Sequence, residues 1–128
     1  MKTRTLTIAA LAVVFLTNSL PLLAHHGTAS YDTSKTVTVK GTVTDFQFMN
    51  PHVLLFLDGK DDNGNVQKWQ GELTSPNHLE RAGWTRTSLK PGDQITISGF
   101  PAKSGANSMW ISKVLQADGT PLNPGLGN

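Results

Sequence analysis

Apolar and polar residues alternate along the first half of the chain, which predicts β-strands rather than helices. From Thr36 onward every second residue is valine or glycine, at Val37, Val39, Gly41 and Val43. A period of two is typical of a strand with one buried face. After Val43 the apolar positions change parity to Phe46 and Phe48, and such a shift predicts a β-bulge near Asp45.

Two more strands follow before the pattern changes. A nearly continuous apolar run over residues 52–57 predicts the second strand, and Asn63 with Gly64 forms the pair preferred in a tight hairpin. Over residues 66–73 the third strand places Trp69, Gly71 and Leu73 on one face. Both segments have the length of a typical β-strand.

The last third of the domain contains one short helix and two strands. Ser75 can cap a helix that has Pro76 at its first position and Gly83 at its end. Residues 90–93 fit a type II turn, and clean alternation over 95–99 predicts the fourth strand. Residues 109–115 predict a fifth strand whose parity is less clear.

This order of elements predicts an all-β fold, an OB-type five-stranded barrel with one short helix between strands 3 and 4. An open β-sandwich with the same number of strands is the alternative. We expect four segments: a signal peptide at 1–24, an N-terminal arm at 25–35, the barrel domain at 36–117 and a flexible C-terminal tail at 118–128. The tail is rich in glycine and proline, which do not continue a strand.

The N-terminus has the layout of a signal peptide. Lys2 and Arg4 precede an apolar stretch from Leu6 to Leu16, and the small residue Ala24 follows. The stretch is shorter than the ~20 residues that span a bilayer, so we expect cleavage after Ala24 and no stable membrane insertion. The chain has no cysteine, which suits a periplasmic or secreted bacterial protein that folds without disulfides.

Charge and composition exclude several functions. Two of the 11 basic residues lie in the signal peptide, so the mature chain has nine basic and nine acidic residues and no excess of positive charge for binding nucleic acid. Without cysteine there are no thiolate metal sites and no cysteine nucleophiles. Neither a G-x-S-x-G motif nor a phosphate-binding glycine loop is present, and we expect no enzymatic activity.

Two adjacent histidines are the first candidates for metal ligands. Cleavage after Ala24 makes His25 the N-terminal residue, so that its α-amine and imidazole can chelate one ion together with His26. An all-nitrogen set of this kind suits Cu(II). The alternative is that the pair is a polar spacer.

His52 is the third candidate, because it follows the Asn50–Pro51 corner in a loop that OB barrels use for ligands. The arm spans about ten residues, and at ~3.3 Å per residue it can bring His25 to His52. Alternatively, His52 bonds a loop carbonyl and fixes the corner. His78 lies in the first turn of the predicted helix, where we expect a surface or packing role rather than a ligand role.

Three tryptophans, Trp69, Trp84 and Trp110, are expected to pack the barrel, although an exposed one would mark a ligand face. The chain also resembles a family of small exported bacterial proteins known as a domain of unknown function. The resemblance lies in the AHH start of the mature chain, the Tyr31–Asp32 pair, the NPH corner at 50–52, Trp69 with Glu72, and the LKPGD turn at 89–93. It implies an exported OB-like fold and directs attention to His25, His26 and His52.

The sequence therefore favours a periplasmic, non-catalytic module that binds copper through His25 and His26, with His52 as a further ligand. The alternative is an accessory domain that presents a barrel face or an edge strand to an envelope protein or redox enzyme, without a metal.

Overall fold

The computed structural model describes residues 28–60 and 64–123, so the predicted signal peptide, His25, His26 and Asn63 lie outside the described residues. Its elements are β1 (Val37–Gln47), β2 (Leu54–Lys60), β3 (Val66–Glu72), α1 (Pro76–Arg81), β4 (Gln94–Pro101), β5 (Ser108–Gln116) and β6 (Pro121–Leu122). The predicted order of three strands, one helix and two strands is confirmed.

The first five strands close into a barrel. Their order in the sheet is β3-β2-β1-β4-β5, and residues Gln70–Glu72 of β3 pair in parallel with Ser108–Trp110 of β5. This last pairing joins the two ends of the sheet, so the predicted five-stranded OB-type barrel is confirmed and the sandwich alternative is wrong. The other pairings between neighbouring barrel strands are antiparallel.

The predicted bulge in β1 bends this strand around the barrel. The register with β2 shifts between Val43 and Asp45, while the first half of β1 pairs with β4. The buried positions change parity at the same point, because Val43 is 1% exposed before the bulge and Phe48 is 5% exposed after it. The long strand β1 therefore pairs with both β2 and β4, as an OB-type barrel requires.

The core fills the barrel with aliphatic side chains from β1, β2, β4 and β5. Among its fully buried members are Val43, Leu55, Leu57, Ile97, Ile111 and Val114. Leu79 of α1 belongs to the same cluster, so the helix closes one end of the barrel. Gly83 ends the helical segment at φ +92°, a conformation that glycine adopts without steric cost.

Strand β5 changes the direction of its side chains along its length. Met109 and Ile111 are both fully buried, and the next core residue, Val114, is three positions further on. A register shift opposite Ser98 and Gly99 accounts for this spacing, because one extra residue on β5 reverses the alternation. The irregularity explains why the sequence alone does not set the parity of this strand.

The end of the chain contains an element that the sequence pattern does not predict. Within the expected tail, Pro121 and Leu122 form β6, which pairs with Val114 and Leu115 of β5. The indole Nε1 of Trp84 donates a hydrogen bond to the carbonyl of Asn123. In the described part of the chain no helix is long and apolar enough to cross a bilayer.

Two glycines in the barrel wall provide a test of its packing. A Cβ at Gly99 lies 2.0 Å from the backbone oxygen of Trp110, whereas one at Gly71 lies 2.3 Å from the end of the Ile111 side chain. A side-chain end can move and a paired strand cannot, so Gly71→Ala should cost about 1–3 kcal/mol and Gly99→Ala more. Urea unfolding measures both, with the exposed Lys113→Ala as control; equal costs at the two glycines would contradict this account.

Candidate functional site

His52 is held at the junction between a tight corner and β2. The peptide bond between Asn50 and Pro51 is cis, and the next residue after His52, Val53, is fully buried. Two backbone hydrogen bonds fix Val53 to the segment that follows β3: its N–H donates to the Thr74 carbonyl at 3.2 Å, and its carbonyl accepts from the Leu73 N–H at 2.9 Å. The backbone that carries His52 is therefore anchored on its C-terminal side.

Glu72, the last residue of β3, orients the His52 ring. Nδ1 of His52 lies 2.5 Å from Oε1 of Glu72, with the two side chains 29% and 18% exposed. Because a carboxylate accepts hydrogen bonds, the proton of this contact lies on Nδ1 and the ring presents Nε2 on its other side. The alternative that His52 bonds a loop carbonyl is wrong, since its partner is a side chain from another strand.

The N-terminal arm contributes a third group through Tyr31. The arm is docked on the end of β4, because Tyr31 forms an isolated bridge with Ala102 and the Asp32 N–H donates to the Pro101 carbonyl at 2.8 Å. The Tyr31 hydroxyl then donates to Oε2 of Glu72 at 2.5 Å. Each oxygen of the Glu72 carboxylate thus accepts a hydrogen bond from a different segment of the chain.

Trp110 forms the wall behind these polar groups. Its neighbours Met109 and Ile111 point into the barrel core, so Trp110 points outward, yet it is only 7% exposed. The His52 ring meets it edge-on at 5.4 Å between centroids and 89° between planes, and the Tyr31 ring lies 6.1 Å away. Tyr31, His52, Glu72 and Trp110 therefore form a small cluster outside the barrel core, which we call the His52 site.

The electrostatics of this cluster disfavour ionisation of Tyr31. Burial raises the pKa of Tyr31 from 10.0 to about 12, and the hydrogen bond to Glu72 acts in the same direction. A hydrogen bond with Ser108 lowers the pKa of Tyr31 and offsets a part of this increase. The phenol therefore stays a neutral donor to Glu72 at any physiological pH.

A histidine that donates its Nδ1 proton to a carboxylate has the arrangement usual for a metal ligand, because the carboxylate fixes the tautomer and the orientation of the ring. In residues 28–60 and 64–123 there is no group of three or more histidine, cysteine, aspartate or glutamate side chains that could hold a metal. The described barrel therefore offers one oriented imidazole, and other ligands of an ion there have to come from another segment or molecule.

The candidate residues from the sequence fall into three classes. His52 lies in the cluster, while His25 and His26 lie outside the described residues. His78 is on the surface, as expected, and its Nδ1 lies 3.1 Å from the Thr74 hydroxyl. Sequence reasoning did not identify the other members of the His52 site, which are Tyr31, Glu72 and Trp110. Tyr31 and Glu72 do belong to the motifs that carry the family resemblance, and this was the available signal.

A comparison with protein families shows where the chain belongs. The model of a family of unknown function, DUF6152, matches residues 13–110, which is most of the chain. The chain belongs to this family. No curated protein matches the chain. The resemblance to an uncharacterised family is thus confirmed, and the matched DUF6152 region includes Tyr31, His52, Glu72 and Trp110.

The single tyrosine of the chain makes the His52 site directly observable. Only Tyr31 can contribute tyrosinate absorbance, and we expect its titration midpoint near pH 12 rather than 10. The unfolded chain ionises first, so the contribution of Tyr31 to stability is complete below pH 10 and is lost between pH 10 and about 12.

Tyr31→Phe should remove this part of the pH dependence and lower stability at neutral pH by about 1–3 kcal/mol, because Glu72 loses a partner. The two proteins share every other titratable group, so the difference between the two unfolding curves isolates Tyr31. A midpoint near 10 in the folded wild type would contradict the buried hydrogen bond.

Proposed function

We propose that the protein is an exported, non-catalytic module that binds Cu(II) through its N-terminal histidines, with His52 as the ligand supplied by the barrel. In this proposal the ligands are the α-amine and imidazole of His25, the imidazole of His26 and Nε2 of His52. The observation that carries it is the hydrogen bond between His52 and Glu72, because it fixes the orientation of an imidazole whose Nε2 can bind a metal ion. This imidazole lies at the place where the N-terminal arm is docked.

The docked arm supports the proposal by shortening the distance that the N-terminal histidines have to cover. Tyr31 and His52 bond the same carboxylate, so the arm passes next to the ring. His26 lies five residues before Tyr31, and at ~3.3 Å per residue this length spans about 16 Å. A segment of that length is long enough to bring His26 from Tyr31 to the imidazole of His52.

The ligand chemistry favours copper over zinc. An amine and imidazoles form an all-nitrogen set that accepts the tetragonal geometry of Cu(II), and no cysteine is available for the thiolate-rich sites common for Zn(II). In this proposal the predicted signal peptide of residues 1–24 is removed on export. The free amine exists only after that cleavage.

Cu(II) titration of three matched proteins tests the ligand set. The mature chain that begins at His25 is compared with the same chain acetylated at its α-amine and with His52→Ala. We expect each change to weaken Cu(II) binding by roughly tenfold or more, because each removes one nitrogen donor. Calorimetry gives the affinity, and electron paramagnetic resonance counts the nitrogen ligands.

His78→Ala is the control, since it removes an exposed imidazole that is bonded to Thr74 and lies outside the His52 site. Equal affinity of the wild type, His52→Ala and His78→Ala would remove His52 from the ligand set. Equal affinity of the free and the acetylated chain would remove the α-amine from the ligand set. Absence of Cu(II) binding by the mature chain would overturn the proposed function.

Glu72 should act as a positioning residue rather than as a ligand. Glu72→Gln keeps the shape of the side chain but loses the charge that favours an Nδ1–H imidazole. We expect Cu(II) affinity to fall by roughly tenfold while the number of nitrogen ligands stays the same. An unchanged affinity, or loss of an oxygen ligand from the spectrum, would contradict this role.

The alternative function, an interaction domain for an envelope partner, stays a prediction. An exposed tryptophan would mark a ligand face, but Trp84 and Trp110 are only 3% and 7% exposed. Neither ring is available to a partner without rearrangement.

A further inference from the structure

The described part of the N-terminal arm, residues 28–35, is attached to the barrel by a single buried side chain. Tyr31 is buried, Asp32 is half-buried, and the other side chains of this segment are exposed. The Tyr31 hydroxyl bonds Glu72, and its ring packs beside Trp110. A segment with one buried anchor opens at a lower free energy than a barrel strand, whose side chains fill the core.

Main-chain hydrogen bonds join the arm to the end of β4 on both sides of this anchor. The Asp32 N–H donates to the Pro101 carbonyl at 2.8 Å, and the Lys103 N–H donates to the Ser30 carbonyl at 3.0 Å. In the arm, Ser30 and Asp32 are the immediate neighbours of Tyr31. The arm therefore docks and undocks as one unit, with Tyr31 at its centre.

A turn keeps the start of the described arm beside Tyr31. The Tyr31 N–H donates to the Thr28 carbonyl at 3.0 Å, which closes a four-residue turn whose end Cα atoms lie within ~7 Å of each other. His26 is two residues before Thr28 in the sequence. Docking therefore fixes a point of the chain two residues from His26, next to the carboxylate that Tyr31 shares with His52.

Undocking changes the length of chain that joins the N-terminal histidines to the barrel. With the arm docked, two residues separate His26 from the fixed Thr28, whereas eleven separate it from Val37, where β1 begins. The effective concentration of a tethered ligand falls roughly as the −3/2 power of the tether length, so undocking lowers it roughly tenfold. An undocked arm therefore brings its ligands to His52 much less often than a docked one.

We propose that docking of the arm assembles the copper site, and that Cu(II) in turn holds the arm on the barrel. This inference rests on the proposed function, since it takes His25, His26 and His52 as the ligands. Tyr31 is then a positioning residue, because its anchor decides whether the ligands of the arm and His52 meet around one ion. By linkage, the factor by which docking strengthens Cu(II) binding equals the factor by which Cu(II) strengthens docking.

Hydrogen exchange of the mature chain, measured by mass spectrometry, tests the effect of copper on the arm. The amides of Asp32 and Lys103 report on docking, because both bond across the contact between the arm and the barrel. Saturating Cu(II) should slow their exchange roughly tenfold. In His52→Ala the ion binds to the arm alone, so Cu(II) should leave this exchange unchanged. His78→Ala, which removes an imidazole bonded to Thr74, is the control and should keep the slowing.

Calorimetry tests the same linkage in the other direction. Tyr31→Ala removes the anchor but no proposed ligand, and Cu(II) affinity should fall by the factor by which Cu(II) slows exchange in the wild type. The effect of His52→Ala on affinity should be largely lost when Tyr31→Ala is also present, because the undocked arm seldom brings an ion to His52. A tyrosine that only stabilised the fold would leave the effect of His52→Ala unchanged.

Lys103→Ala loosens the arm without a change in the core, which keeps the test valid where Tyr31→Ala does not fold. The exposed Nζ of Lys103 donates to the Ala29 carbonyl at 2.9 Å, so its loss should speed exchange of the Asp32 amide severalfold without Cu(II). Cu(II) should slow this faster exchange by the same factor as in the wild type, because the ligands are intact. Lys113→Ala removes an exposed lysine of β5 outside these contacts and should exchange like the wild type.

The outcomes separate this inference from the proposed function. The coupling is wrong, and the copper site stands, where Cu(II) binds with a contribution from His52 but does not slow exchange in the arm. Slowing that persists in His52→Ala also contradicts the coupling, because Cu(II) would then order the arm without the barrel. Equal effects of His52→Ala with and without Tyr31 would remove Tyr31 as a positioning residue. Absence of Cu(II) binding by the mature chain would overturn both proposals.

Discussion

The carboxylate of Glu72 is the contact on which the arrangement of the His52 site depends. It accepts hydrogen bonds from Tyr31, 41 positions earlier in the chain, and from His52, 20 positions earlier. A partly buried carboxylate is costly unless it is satisfied, and here both oxygens have a donor. The same group therefore orients the His52 ring and attaches the N-terminal arm to the barrel, so a change in either contact alters the other.

The barrel makes this contact possible by controlling which side chains face outward. In β5 two neighbours of Trp110 point into the core, and the parallel pairing with β3 places Trp110 beside Glu72 on the outer face. An outward tryptophan exposes a large apolar surface, which Tyr31 and His52 cover. The burial of Trp110 and the hydrogen bonds of Glu72 thus stabilise the same docked arm, one through apolar contact and the other through polar contact.

Local patterns predicted most of the barrel, because alternation and turn residues report on neighbours in the chain. The bulge near Asp45 could be predicted, because the apolar positions of β1 change parity there. The register shift opposite Gly99 could not be predicted, because it depends on the pairing of β4 with β5. Strand β6 was missed because Pro121 reads as a strand breaker, although an edge position tolerates proline. His52 was predicted from its corner, but nothing local distinguishes Glu72 from the other carboxylates, because its partners are distant in sequence.

The ion pair between Lys68 and Asp58 and the His52 site both lie on strands β2 and β3 but have separate interactions. Glu72 pairs with Leu54 at one end of these strands, and Lys68 pairs with Asp58 four positions further along β3. That offset corresponds to about 13 Å along a strand, beyond the ~7–10 Å within which substitutions usually couple. The charges at the two places are also balanced locally, Glu72 by its two donors and Asp58 by Lys68. A rigid barrel can therefore present two chemically different surfaces on one face, each held by its own contacts.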